Sequence, residues 1–288
     1  MSVNERLKLF IPPILFSLRK ELRGIRRKSP PAWEYTPEGW AYARRHPEVR
    51  GWNVEEVLDV YKAKWPTFVS LTQDTGPLGF VHESDLNTRT DIPSHNVVMS
   101  FAYNLALASH SLDTVTMLDW GGGIGHYYLL AKALLPDVDI EYHCKDLPLL
   151  AEYGAKLFPE QHFYSDESCL ERSYDLVMAN TSIHYAEDWQ GLLSRLARAA
   201  KRYLYIANIP TVINAASFVF VQRPYDFGYN TEYLAWCLNR DEFLEHALSL
   251  GLELQREFVF GYKPLIVKAP EQNEYRGYLF SPTSGAWA

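Results

Sequence analysis

The chain has 288 residues, 47% of them apolar, enough for one large buried core or a domain with a sizeable appendage. Its net charge of −7 excludes nucleic acid as the main partner, because phosphate binding needs a basic face. The three cysteines, Cys144, Cys169 and Cys237, are far apart, and the nine histidines form no HExxH. Neither a disulfide framework nor a structural or catalytic metal is expected, and the pattern fits a reduced, cytoplasmic compartment.

Residues 1–30 read as an arm, ended by Ser29-Pro30-Pro31. Its apolar stretch, Leu9 to Phe16, is far short of the roughly 20 residues that span a bilayer and contains two prolines. Residues 1–28 hold eight Lys or Arg against two Glu, a net of +6, so the rest of the chain carries −13. An apolar patch beside a basic run fits peripheral contact with an anionic membrane surface, at its cytoplasmic face. A solvated or packed arm fits the same residues.

Residues 31–113 read as a mostly helical cap. Thr36-Pro37-Glu38 starts one helix, Asn53-Val54-Glu55-Glu56 a second that runs to about Lys64 before Pro66, and Pro93-Ser94 a third through Ser109. From 114 to 288 strand and helix patterns alternate, which implies a parallel sheet. The strands are Val115–Trp120, Val138–Cys144, His162–Tyr164, Tyr174–Asn180 and Arg202–Asn208. Between them lie helices His126–Leu135, Leu149–Phe158 and Asp188–Ala200. An aromatic-rich segment, Ile209–Asn239, precedes a last helix that stops at Gly251 and two closing strands, Leu252–Phe260 and Tyr275–Phe280. The fold class is therefore α/β, Rossmann-like, with five parallel strands, a C-terminal closing pair and a helical N-terminal cap.

The first of those strands runs into Asp119-Trp-Gly121-Gly122-Gly123-Ile-Gly125. Glycines here let the backbone turn from strand to helix and let a ligand lie on the main chain. A dinucleotide fingerprint would place its third glycine at 126, where this chain has His126. A carboxylate at the strand tip repels a pyrophosphate but suits a ligand with an ammonium group. S-adenosylmethionine is such a ligand. The second strand ends in Asp146-Leu147-Pro148, where an acid accepts hydrogen bonds from ribose hydroxyls. Asp166, after the third strand, is a candidate partner for an adenine amino group or a turn cap. His184, just past the fourth strand, is the candidate general base, and Tyr127, Tyr128, Tyr185 and Trp189 are candidate lining residues.

From Val115 to Trp189 the chain resembles the class I S-adenosylmethionine-dependent methyltransferases. The run DWGGGIG followed by DLP is similar to small-molecule O-methyltransferases, whose loop reads DVGGGxG and whose second strand ends in DLP. The resemblance implies cofactor contacts from Asp119, the loop glycines, Asp146 and Leu147, and from Asp166, which matches their GDMF aspartate. It maps their catalytic histidine onto His184, although Tyr185-Ala186-Glu187-Asp188 follows here in place of Asp-Trp-Ser-Asp. Over most of its length the chain also resembles methyltransferases of bacterial surface-polysaccharide gene clusters. The shared features are Pro12-Pro13-Ile14-Leu15, Trp33-Glu34, His95-Asn96, Val221-Gln222 and Asn239-Arg240. This implies a sugar or other glycan precursor as acceptor. Two alternatives remain open: a nicotinamide-dependent oxidoreductase or epimerase, and a scaffold that keeps the fold without turnover.

Overall fold

The computed structural model describes residues 30–79 and 91–283. The N-terminal arm and its membrane-facing expectation lie outside them. The elements described below all belong to one compact unit, Ala32–Ala288. No helix among the described residues is long and apolar enough to cross a membrane.

The sheet is built from strands β1 (Trp33–Tyr35), β2 (Thr114–Trp120), β3 (Asp139–Lys145), β4 (His162–Tyr164), β5 (Tyr174–Asn180), β6 (Ala200–Val212), β7 (Phe218–Gln222), β8 (Tyr233–Asn239), β9 (Leu252–Val259) and β10 (Glu274–Pro282). Its central part runs β4-β3-β2-β5-β6, all parallel, followed by β10, antiparallel to β6, and by β9, antiparallel to β10 and so in the direction of the central strands. This is the Rossmann-like methyltransferase sheet that the sequence predicts. Val115, Met117, Leu118, Leu176, Val177 and Met178 are fully buried. Parallel strands covered on both faces need such runs, and the two central strands supply them.

Helices α1 (Glu55–Gln73), α2 (Ile92–Ser109), α3 (His126–Leu134), α4 (Pro148–Leu157), α5 (Trp189–Ala199) and α6 (Arg240–Ser249) cover the sheet. Phe68 of α1, Phe101 and Leu105 of α2 and Leu130 of α3 pack on one face with Met117, Leu176 and Tyr205. Leu192, Leu193 and Leu196 of α5 and Phe243 of α6 pack on the other with Leu118, Val177 and Ile206. Side-chain caps start α5 and α6: Asp188 accepts from Gly191 N–H at 2.8 Å, and Asn239 accepts from Asp241 and Glu242 N–H at 2.9 and 3.1 Å.

Three expectations about this part of the chain change. The helix expected to end before Pro66 continues through it to Gln73. Proline removes one backbone hydrogen bond, but buried Tyr61 and Phe68 on either side hold the helix on the body. The helix expected from Thr36 is a short 3-10 segment, Gly39–Arg45, preceded by the strand β1. The fifth strand runs past Asn208 to Val212. At Asn208 the backbone enters the left-handed region (φ 54°), and Thr211 and Val212 then pair in parallel with β8. The aromatic-rich segment is thus a β7–β8 hairpin whose outer edge pairs with β1. A buried Arg223 ties this small sheet together, donating to Glu34, Glu232 and Tyr42 at 3.1 to 3.2 Å.

Candidate active site

The chain leaves β2 toward β3 and β4 on one side and later returns to β5 on the other. The order therefore reverses between β2 and β5, and the crevice outside their C-terminal ends is where such sheets bind ligands. The glycine loop lies there. Gly121, Gly123 and Gly125 have φ of 78°, 64° and 99°, conformations that only glycine adopts readily. A Cβ on Gly121 would lie 2.4 Å from the Cβ of Ser182, so the loops after β2 and β5 press together. Ser182 Oγ reinforces this by donating to the Trp120 carbonyl at 2.7 Å.

Two buried carboxylates face the loop. Asp119 is 1% exposed; its Oδ2 accepts from the Tyr142 hydroxyl at 2.7 Å, and its Oδ1 has no hydrogen-bond partner. Burial, with a smaller push from Asp146, raises its carboxyl to about 7. Asp146 accepts from Gly123 N–H at 2.7 Å and from Leu147 N–H at 2.6 Å, and burial raises its pKa as well. Leu147 thus contributes its backbone to the site and precedes the first residue of α4. A buried acceptor left unpaired beside left-handed glycines is the environment an ammonium donor satisfies. The residues present therefore fit an amino-acid-bearing ligand.

The structure brings Asp119, Gly121, Gly122, Gly123, Gly125, Asp146 and Leu147 to one end of the sheet. Asp166 stands apart from that group in character: it is exposed, and its Oδ1 caps a turn by accepting from Ser168 N–H and Oγ–H at 3.0 and 2.6 Å. His184 lies in the 3-10 turn Ile183–Tyr185, fully buried, with neither ring nitrogen hydrogen bonded. Burial drives its pKa down to about 3, so the ring is neutral near pH 7. Its ring stacks obliquely on Tyr185, 4.1 Å between centroids. His126, in place of a third glycine, is also buried and depressed to about 3, packed among Tyr61, Trp65 and Phe68.

Several residues at this end of the sheet carry no mark in the linear sequence. Tyr61 of α1 lies over the loop, 2.8 Å from where a Gly123 Cβ would stand, and clusters with Ile124, Leu150 and Tyr229. Trp52 stacks on Tyr233 at 4.2 Å and meets Tyr185 edge-on at 5.2 Å, forming an aromatic wall beside His184. Thr181 adopts φ 51°, which is strained for a β-branched residue. It is held by Asn208, whose amide donates to its hydroxyl at 2.6 Å. Asn180 donates to the Tyr127 hydroxyl at 2.5 Å. Of the expected lining aromatics, Tyr127 and Tyr185 are here, whereas Trp189 packs into the core on Phe243.

Of the residues that carry the polysaccharide-cluster resemblance, Pro12-Pro13-Ile14-Leu15 lie outside the described residues, and four others have framework positions. Trp33 stacks on Phe220, Glu34 pairs with Arg223, His95 bonds the Leu78 carbonyl, and Asn239 caps α6.

No protein-family model matches the sequence, and no curated protein matches it. Solved structures similar to it include an S-adenosylmethionine-dependent methyltransferase from Clostridium acetobutylicum, at 12% identity, 69% of this chain, 95% of that one and TM-score 0.45. DesVI of Streptomyces venezuelae is similar at 12% identity over 68% of this chain and 94% of its own, with TM-score 0.45. Human N-acetylserotonin methyltransferase, solved with S-adenosylmethionine, is similar at 14% identity over 85% of this chain and 65% of its own, with TM-score 0.47. These are likenesses of fold. The strand order and the reversal between β2 and β5 make this chain's architecture Rossmann-like α/β.

Proposed function

We propose that the protein is an S-adenosylmethionine-dependent methyltransferase acting on a hydroxyl of a sugar or other small glycan precursor. The observation that carries this is the unpaired Oδ1 of buried Asp119 beside a left-handed glycine loop, with Asp146 at the next strand tip. When bound, the cofactor supplies a methyl group on a sulfonium, open to displacement by an acceptor oxygen. Asp119 and the loop backbone hold its amino-acid end, Gly121 to Gly125 leave room for it, and Asp146 with the Leu147 backbone receives the ribose. Asp166, although exposed and capping a turn through Oδ1, is the candidate partner for the adenine amino group from the third strand tip.

The protein's main contribution is proximity and alignment, since holding two reactants in line removes much of the entropic barrier. His184, neutral at pH 7, accepts the acceptor's proton at a ring nitrogen as the new bond forms. The aromatic wall of Trp52, Tyr185 and Tyr233 fits the apolar face of a sugar ring. Two features favour this over nicotinamide chemistry: a bulky, buried His126 where a dinucleotide loop needs glycine, and the buried Asp119 carboxylate beside the loop, which repels a pyrophosphate. An intact loop and second-strand acid favour turnover over a scaffold role. The basic N-terminal arm fits attachment to an anionic membrane, where glycan precursors are assembled on the cytoplasmic side.

Titration calorimetry with S-adenosylhomocysteine and NAD tests the cofactor. Tighter binding of NAD overturns the proposal. Transfer of labelled methyl from S-adenosylmethionine to sugar nucleotides tests the acceptor.

A further inference from the structure

The expectation of no metal rests on linear spacing, which does not register what neighbouring strands bring together. Along β3, Tyr142 and Cys144 turn into the core shared with α3. By strand alternation Glu141 and His143 turn to the opposite face. The parallel register then sets His143 directly against His162 of β4. Their rings stack 4.4 Å apart and 21° from parallel, and His143 Nε2 lies 2.9 Å from Glu141 Oε1. One donor atom from each of Glu141, His143 and His162 lies within 4.8 Å of the other two.

We propose that Glu141, His143 and His162 form a binding site for a divalent transition metal, zinc first among them, that clips the edge strand β4 to β3. Two imidazoles and one carboxylate are a zinc-type donor set, with a fourth position left for water. Tetrahedral bonds of about 2.1 Å put ligand atoms about 3.4 Å apart, so the set closes by small side-chain rotations. His162 is exposed and free to swing, while His143 is fully buried and already placed.

The surroundings match a metal site beyond the three ligands. The Tyr164 hydroxyl lies 3.0 Å from His143 Nδ1. Without metal, the ring's Nε2–H donates to Glu141 and the tyrosine donates to Nδ1. With metal, the proton sits on Nδ1 and donates to the tyrosine oxygen, which frees the Nε2 lone pair and leaves the ring neutral. Such an outer partner normally fixes a ligand histidine's tautomer. Arg172 contacts Glu141 at 3.1 Å and balances the carboxylate. Its side chain is 54% exposed, so it can move aside and leave one oxygen to the cation. Tyr174 closes the site edge-on, 5.0 Å from the His143 ring. The clip has a structural purpose, because β4 has three residues and, among the described residues, pairs only with β3 at an edge of the sheet.

The test uses the untagged full-length protein, stripped with chelator and titrated with zinc chloride. The expected result is one zinc per chain at this site and a rise in Tm. The His162→Ala variant, which changes an exposed side chain and leaves the core intact, should weaken that binding at least about tenfold and abolish the rise. Tyr164→Phe should weaken it by about 10-fold to 100-fold while keeping the stoichiometry. Magnesium and calcium, which require oxygen ligands, should give no rise. His110→Ala, at a separate exposed histidine, should change nothing. Zinc stoichiometry and Tm response that are the same in His162→Ala as in the parent, or no zinc binding at all, overturn the proposal.

Discussion

If Asp119 pairs with the ammonium of the cofactor, binding must depend on pH in a defined way. In the ligand-free protein its carboxyl titrates at about 7, because burial opposes the charge and the single hydrogen bond from Tyr142 recovers only part of that cost. An ammonium placed within reach lowers a carboxyl by about 1 to 3 units. The bound form therefore titrates near 4 to 6. Between the two values the free protein holds a proton that the complex must release, so affinity falls as pH falls. From pH 7.5 to 5.5 the dissociation constant of S-adenosylhomocysteine should rise by about 20-fold, approaching tenfold per unit at the acid end. Calorimetry at pH 6 in two buffers of different ionisation heat should show close to one proton released per ligand. In Asp119→Asn the slope should vanish, and affinity at pH 8 should fall by about 10-fold to 100-fold, the worth of a hydrogen bond to a charged group. Asp146 is also raised by burial, so Asp146→Asn is the control that should keep the slope. A dissociation constant that is flat from pH 5.5 to 8 in the parent protein, with no proton released, refutes the assignment.

Gly123→Leu should fold poorly or lose S-adenosylhomocysteine binding altogether, since its Cβ would stand 2.8 Å from the Tyr61 ring at a positive φ; calorimetry and urea unfolding separate the two outcomes. His184→Ala should lower kcat by about 10²–10⁴-fold while leaving the cofactor dissociation constant unchanged, as steady-state kinetics and calorimetry would show. Acid should destabilise the fold through His126 and His184, which stay neutral when folded down to about 3 but take a proton when unfolded below about 6.5. Stability therefore falls as pH drops through that window, by about 2 to 3 kcal/mol per histidine at pH 4.5. Asp119 works in the opposite sense, because its folded carboxyl binds a proton between about 4 and 7 while the unfolded one does not. Asp119→Asn removes that compensation and should lose about 3 kcal/mol more than the parent between pH 7.5 and 4.5 in urea titrations. Parallel losses in the two proteins would count against the assigned shifts.

The sheet was legible because each of its central strands meets one physical demand at a time. Met117, Leu118, Val177 and Met178 have to be apolar to lie between two helical layers, and glycine is needed at 121, 123 and 125 for the left-handed turns. Those constraints are local, so the strand bounds and the loop could be read from spacing. The missed parts are long-range. Pro66 looks like a helix end until Phe68 and Tyr61 are seen to be buried. Asn208 looks like a strand end until Thr211 and Val212 find β8. Tyr61 over Gly123 and Trp52 against Tyr185 depend on where α1 and the preceding turn dock, which no periodicity encodes. Glu141, His143 and His162 become neighbours only through the β3–β4 register. The candidate cofactor residues, drawn from the loop and strand tips, were therefore far more readable than the walls around them.

If His184 is the general base, its burial changes what its chemistry has to look like. A histidine at its ordinary value would switch off catalysis as pH falls through about 6.5. At about 3, His184 stays unprotonated near neutral pH, in the form that accepts a proton. The same burial makes it a weak base in the ligand-free protein, since a charged imidazolium there has neither water nor a hydrogen-bond partner. Methyl transfer resolves this only if the proton arrives together with compensating charge. The acceptor oxygen becomes an ether as the sulfonium charge disappears, so the net positive charge of the crevice moves from sulfur to the ring rather than increasing. On that account the acid limb of kcat/KM with respect to cofactor follows Asp119, near 7, and not His184. The limb should persist in His184→Ala at reduced amplitude and disappear in Asp119→Asn.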